Sequence, residues 1–161
     1  MIHEVSGDIL LSKAQVIAHS IAPHDHFSSG LALALRQRWP AMSKDFRHYC
    51  HQSNPKPGTI WIWGEPSVRI ACLLTQEPAR SERQHPRKAS LSNVHHSLQA
   101  LRKECQAQSF QSLALPRLAT GVGGLDWDDV CSQIKQDLAD LKIPVMLYAT
   151  YQANVQAEEP L

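Results

Sequence analysis

Gly121, Gly123 and Gly124 carry the clearest chemical signal in the chain. They lie in the run Ala-Leu-Pro-Arg-Leu-Ala-Thr-Gly-Val-Gly-Gly-Leu-Asp-Trp at positions 114–127. Glycine permits positive φ and close backbone approach, so several N–H groups in such a turn can converge on one anion. A helix starting just after the turn would add unpaired N–H groups and a partial positive charge. The stretch is therefore a candidate cradle for a phosphate or diphosphate. Its spacing fits neither G-x-x-x-x-G-K-[ST] nor a clean G-x-G-x-x-G. A turn that needs glycine only for its geometry is the alternative. Candidates for proton transfer are His24, Asp25, His26 and Asp126. His24-Asp25-His26 could equally be a solvated loop, and Asp126 is also a preferred helix N-cap. Two histidines one residue apart suggest a metal, but no third ligand is evident, so no metal site is expected. Arg80, Arg83 and Arg87 could reach a phosphate or an acidic substrate, or form a solvated charged loop.

The elements that must position these residues follow from hydrophobic period and turn chemistry. Residues 112–116 read as a short apolar strand ahead of the glycines, and 126–141 as an amphipathic helix behind them. Residues 2–5 could form a first strand, and the apolar run 14–22 suits a buried one. Residues 23–30 are polar, bounded by Pro23 and Gly30, and must be a loop. The sequence turns helical from Gly30 to Trp39, Pro40 forces a break or fresh start, and 42–51 continue as helix. Residues 59–63 and 68–75 read as a hairpin around Trp61 and Trp63. Residues 76–88 form a charged loop that could lie over a ligand. Residues 90–106 are helical, and 144–149 a last strand. Residues 152–161 read as a loose polar tail. The order is β-β-α-β-β-α-β-α-β, which argues for a layered α/β fold with a central mixed sheet. Ligands in such sheets sit beyond the carboxyl ends of the strands, so loops 19–30, 75–88 and 119–125 are expected to meet at one cleft.

A chain of 161 residues suits one domain. Its formal net charge of +1 implies no bulk pull toward nucleic acid or membrane. No segment approaches the roughly 20 apolar residues of a membrane helix. Cys50, Cys72, Cys105 and Cys131 lie far apart without a C-x-x-C pair, which reads as reduced core thiols in a cytoplasmic protein. Residues 1–5 do not have the pattern of a signal peptide.

The three loops, in this order, resemble the macrodomain, an ADP-ribose-binding module. Gly7-Asp8-Ile9 is similar to that family's early Gly-Asp-Ile signature. Residues 16–20, Val-Ile-Ala-His-Ser, resemble the strand that carries Ala-His-Cys or Val-Asn-Ala in relatives. Phe27-Ser28-Ser29-Gly30-Leu31-Ala32 resembles the start of the following helix. Residues 116–127 resemble Pro-x-(Ile/Leu)-Gly-x-Gly…Leu-x-Trp, in the form of the branch with the terminal ADP-ribose protein glycohydrolase and the antitoxin that frees DNA of ADP-ribose. The resemblance covers about residues 1–150. It implies a three-layer α/β/α macrodomain fold with a central mixed β-sheet over 1–151, and a flexible tail over 152–161.

It also implies roles. Asp8 would accept from the adenine amine, beside Ile9; alone, Asp8 reads equally as a turn or cap aspartate. Gly121, Val122, Gly123, Gly124 and Leu125 would meet the diphosphate and distal ribose, after Leu118, Ala119 and Thr120. His19, Ser20, Ile21, Ser29, Gly30 and Thr75 would line the remaining walls. Phe27 would flank the distal ribose or plug the core edge. The branch's lysine is replaced here by Gln76, and an acidic residue in its glycine loop by Gly123. A lysyl covalent mechanism is therefore excluded by the resemblance. Gln76, Asp25 and His26 remain as catalytic candidates for a lysine-independent, substrate-assisted attack by water. The implied activity is ADP-ribosyl hydrolysis from acidic side chains, from O-acetyl-ADP-ribose or from a modified nucleic-acid base, with no cofactor. A non-catalytic ADP-ribose reader is the alternative. ADP-ribose or ADP-ribosylated protein is the expected partner, nucleic acid remains open as a substrate, and a monomer is expected.

Overall fold

The computed structural model describes residues 1–81 and 83–161. Six strands form one sheet: β1 Ile2–Gly7, β2 Val16–Ile21, β3 Ile60–Glu65, β4 Val68–Leu74, β5 Leu113–Leu115 and β6 Val145–Tyr151. Four helices accompany them: α1 Gly30–Arg38, α2 Pro40–Ser53, α3 Leu91–Ala107 and α4 Trp127–Asp137. The strand order is β1-β6-β5-β2-β4-β3. Every neighbouring pair is parallel except the β3–β4 hairpin. The expected mixed sheet is therefore present, and its single antiparallel strand is the one that the Trp61–Trp63 hairpin supplies.

The layers follow from the pleat. Successive side chains of a strand point to opposite faces. Val16 and Ala18 of β2 join one core with Val94, Leu98 and Leu101 of α3 and with Val130 and Ile134 of α4. Ile17 and Ile21 of the same strand join the other core with Leu35 of α1 and with Met42 and Phe46 of α2. β2 places apolar side chains on both faces, with His19 and Ser20 toward its carboxyl end, and both faces are covered. Pro40 opens α2 directly after Trp39, where a missing N–H costs nothing. Ser90 caps α3 by accepting from the Asn93 N–H. The last helix stops at Asp137, four residues before the expected end at 141.

The tail differs from the expectation. Residues 152–161 are tied to the end of the first strand and to residues 8–13 after it through several hydrogen bonds. The Gln152 N–H donates to Gly7 O at 3.0 Å, and the Asp8 N–H to Val155 O at 2.7 Å. Glu159 accepts from the Ser12 hydroxyl at 2.6 Å and from the Lys13 N–H at 2.8 Å. A polar composition suggested a loose segment, but here the polar groups find partners in the fold.

Candidate active site at the carboxyl edge of the sheet

β1, β2, β4, β5 and β6 run the same way, so their carboxyl ends share one edge. The loops leaving β2, β4 and β5 meet there, around a cleft of about 660 Å³. Ser20, Asp25, Gly30, Gln76, Arg117 and Gly121 are among its walls. A second, mostly apolar cavity of about 400 Å³ lies beside Ile9, Leu10, Ala34, Tyr148 and Tyr151. Gly30, Leu31, Pro116 and Arg117 border both, so the two form one trough. On the far side Asp25, His26, Gln84 and Pro86 are shared with a third cavity of about 570 Å³ that reaches Arg47 and His51.

Local hydrogen bonds shape the glycine loop. Ala119 has φ 60°, a left-handed conformation that L residues seldom adopt. Its N–H donates to the Ser20 hydroxyl at 2.8 Å, which ties the loop to the end of β2. Its carbonyl accepts from the Leu125 N–H at 3.0 Å, closing the loop on itself. The Ala89 N–H donates to Gly123 O at 3.0 Å, joining the loop to the segment after β4. Among the described residues, nothing accepts from the N–H groups of Thr120, Gly121, Val122 and Gly123. A Cβ on Gly123 would lie 2.6 Å from Ala119 O, so glycine is sterically required there. A Cβ on Gly121 would meet nothing within 4 Å. The acidic residue that the resemblance expects in this loop has no room at 123 in this chain.

The catalytic candidates come together at one end of the cleft. Asp25 lines it, and its Oδ1 accepts from the Phe27 N–H at 2.7 Å. Burial pushes the Asp25 carboxyl above the usual carboxylate range, against the lowering pull of that hydrogen bond. His26 is exposed beside it. Gln76 is buried, and its amide Nε2 donates to Arg87 O at 3.2 Å, so the side chain also pins the following loop. His19 is buried at the back wall with Nε2 3.1 Å from Cys72 Sγ, and its Nδ1 has no partner. Burial holds this imidazole at a pKa of about 3, so it is neutral at any ordinary pH.

Other expected positions fall elsewhere. Phe27 is 1% exposed and packs edge-on against Phe46, so it is a core residue and does not flank the cleft. Its backbone is left-handed, with φ 55°. Thr75 and Leu118 are fully buried, and Leu125 packs half-buried against the α3/α4 core. The Thr120 hydroxyl donates to Arg117 O, and Gly124, with φ 75°, faces the stem of Lys88. Ile21, Ser29 and Val122 line the cleft. Ile9 lines the apolar cavity, whereas the Asp8 carboxylate beside it is buried and bound to backbone, Oδ1 accepting from Leu10 and Oδ2 from Asn154. Asp126 stands at the N-cap of α4 without a capping side-chain bond. Arg80 and Arg83 are exposed, and the Arg87 Nε donates to Pro78 O.

The sequence match agrees with this architecture. The family model of the Macro domain matches residues 18–134. The chain belongs to the Macro domain family. It is 23% identical to a DNA ADP-ribosyl transferase-DNA ADP-ribosyl glycohydrolase fusion protein of Thermosipho africanus, over 94% of this chain and 42% of that protein. The Macro domain chain thus spans less than half the length of that relative. It is also 23% identical to the human ADP-ribose glycohydrolase OARD1, over 88% of each chain. The solved macrodomain of Thermus aquaticus DarG superposes with a TM-score of 0.79 at 22% identity, over 92% of this chain and 98% of that one. The α/β macrodomain fold is therefore the fold of this chain.

Arg117, Gln84 and His85 line the cleft of this Macro domain and were missed by sequence reasoning. Arg117 stands 5.1 Å over the Trp127 ring and donates through Nε to Ala149 O. A lone basic residue between a strand end and a glycine turn was the available signal. For His85 the signal was its place in the loop 75–88 expected at the cleft, although nothing in the sequence singled out that residue. All four cysteines are free. Among the described residues no group of three or more His, Cys, Asp or Glu is placed to hold a metal, and no helix is long and apolar enough to cross a membrane.

Proposed function

We propose that this Macro domain binds ADP-ribose along the trough and hydrolyses an ester-linked ADP-ribosyl group. The observation that carries the reading is the run of N–H groups at residues 120–123 without a partner among the described residues, in a loop whose Gly121, Val122 and Gly123 line the cleft. Four backbone donors with Arg117 beside them suit a diphosphate. The apolar cavity between Leu31 and Tyr148 suits a purine. The distal ribose then falls near Asp25, His26 and Gln76. Water attacks the anomeric carbon of the distal ribose, Asp25 takes its proton, and the acceptor carboxylate leaves with the electrons of the broken carbon–oxygen bond. A carboxyl shifted upward by burial is better matched to this work near neutral pH than an ordinary one. Gln76 has no basic nitrogen and serves to orient the water or a ribose hydroxyl. The cavity lined by Arg47 and His51 gives the departing protein carboxylate room. The four free thiols suit a reducing, cytoplasmic setting.

The alternative is a reader that binds without turnover, favoured by Gln76 standing where the branch has lysine. Calorimetric titration with ADP-ribose, run beside an assay of ADP-ribose release from glutamate-modified protein, separates the two. The proposal expects micromolar binding, multiple turnover, and at least about a tenfold loss of rate in Asp25→Asn. Binding without release on any linkage leaves the reader. Absence of binding overturns both.

A further inference from the structure

We propose that the segment 152–161, through Glu159 and the Asn154 amide, is a positioning element for the purine end of the trough. This rests on the ADP-ribose reading above. β6 carries Tyr148 and Tyr151 into the wall of the apolar cavity. The chain then reverses through a turn in which the Val155 N–H donates to Gln152 O at 3.2 Å and Asn154 takes φ 61°. That turn delivers the Asn154 N–H to Asp8 Oδ2 at 3.0 Å. The Leu10 N–H occupies Oδ1 at 3.0 Å. A carboxylate oxygen has two lone pairs, so each keeps one acceptor direction while the group itself is fixed.

Further along, Ala157 crosses Gly7 so closely that a Cβ there would lie 2.8 Å from the Ala157 nitrogen, and Gly7 has φ 156°. Glu159 then gathers three donors from two walls. It accepts from the Ser12 hydroxyl, the Lys13 N–H and the Tyr148 hydroxyl, the last at 2.8 Å. Tyr148 is 4% exposed, so its hydroxyl has little access to water as a substitute acceptor. One carboxylate therefore links a ring of the purine cavity to the turn that bears Asp8, Ile9 and Leu10. The tail holds the two sides of the purine end in register, and the carboxylate that would read an exocyclic amine is fixed by the same segment.

The test compares ADP-ribose with its hypoxanthine analogue, in which a carbonyl replaces that amine, on the full chain. Inorganic pyrophosphate probes the glycine loop alone. The wild-type chain should prefer ADP-ribose by about tenfold, the value of one hydrogen bond to a charged group. Glu159→Ala should bind ADP-ribose about tenfold more weakly and lose most of the preference, with pyrophosphate affinity unchanged. Glu159→Gln keeps the shape and one acceptor oxygen and should fall between the two; it also carries the test if Glu159→Ala does not fold. Wild-type affinity and preference in both variants would overturn the proposal. So would an equal loss for both purine ligands, which is what a merely structural role predicts, or tighter binding of ADP-ribose. A wild-type chain that binds neither purine ligand overturns the functional reading instead.

Discussion

His19 gives the protein a built-in sensitivity to acid whose size follows from its burial. The imidazole is 1% exposed, its Nδ1 lacks a partner, and its pKa lies at about 3 in the fold. In the unfolded chain a histidine titrates near 6.5. The folded pKa is the lower one, so between these values the unfolded state binds the proton and the folded state does not. Stability therefore falls as pH falls through that window. At pH 5 the unfolded imidazole is about thirtyfold more protonated than neutral, which costs RT ln 30, or about 2 kcal/mol; at pH 7 the cost is about 0.2 kcal/mol. His19→Asn removes the titration and keeps a planar polar group. Its absolute stability will differ, but its loss between pH 7 and pH 5 should be smaller than the wild type's by about 2 kcal/mol. Urea unfolding at both pH values reads this directly, as about 1 M of midpoint if m is near 2 kcal/mol/M. The other titrating groups are common to both chains and cancel in the difference. Parallel pH dependences for the two chains would show that His19 is accessible to protons in the fold, and the burial argument would fail.

Two further outcomes follow from the cleft. Gly123→Ala places a Cβ 2.6 Å from Ala119 O, so the loop must move. Stability should drop by about 1–3 kcal/mol, and ADP-ribose affinity with it, while Gly121→Ala keeps wild-type stability; thermal melts and titrations of the pair check this. Asp25→Asn retains an oxygen for the Phe27 N–H and removes a carboxylate whose pKa is raised by burial. The folded form favours the neutral acid, so ionisation destabilises the wild type as pH rises past the usual carboxylate value. The variant should melt higher than the wild type at pH 7, and the gap should close below pH 4. A lower melting temperature at pH 7 would mean that the charge is stabilised in place.

Sequence alone determined the elements, because each rests on a local signal. The largely apolar run 14–22 suited a buried strand, and Pro40 forced a break or a fresh helix start. The hairpin around Trp61 and Trp63 fixed where the sheet becomes mixed. The glycine turn, placed between a strand and a helix, marked one wall of the cleft. Contacts between distant segments were decided by tertiary structure. Phe27 could flank the cleft or plug the core edge by sequence, and only its packing against Phe46 decided for the core. Asp8 reads by itself as a turn or cap aspartate, and it does cap the turn at Leu10; its second partner, the Asn154 N–H 146 residues away, had no sequence signal. The polar composition of 152–161 looked unable to pack, yet Glu159 finds buried and half-buried donors from two other segments. Composition measures how much apolar surface a segment can bury, but not whether its polar groups will meet partners. That depends on the whole fold, so the tail's hydrogen bonds to Tyr148 and Ser12 were beyond sequence reading.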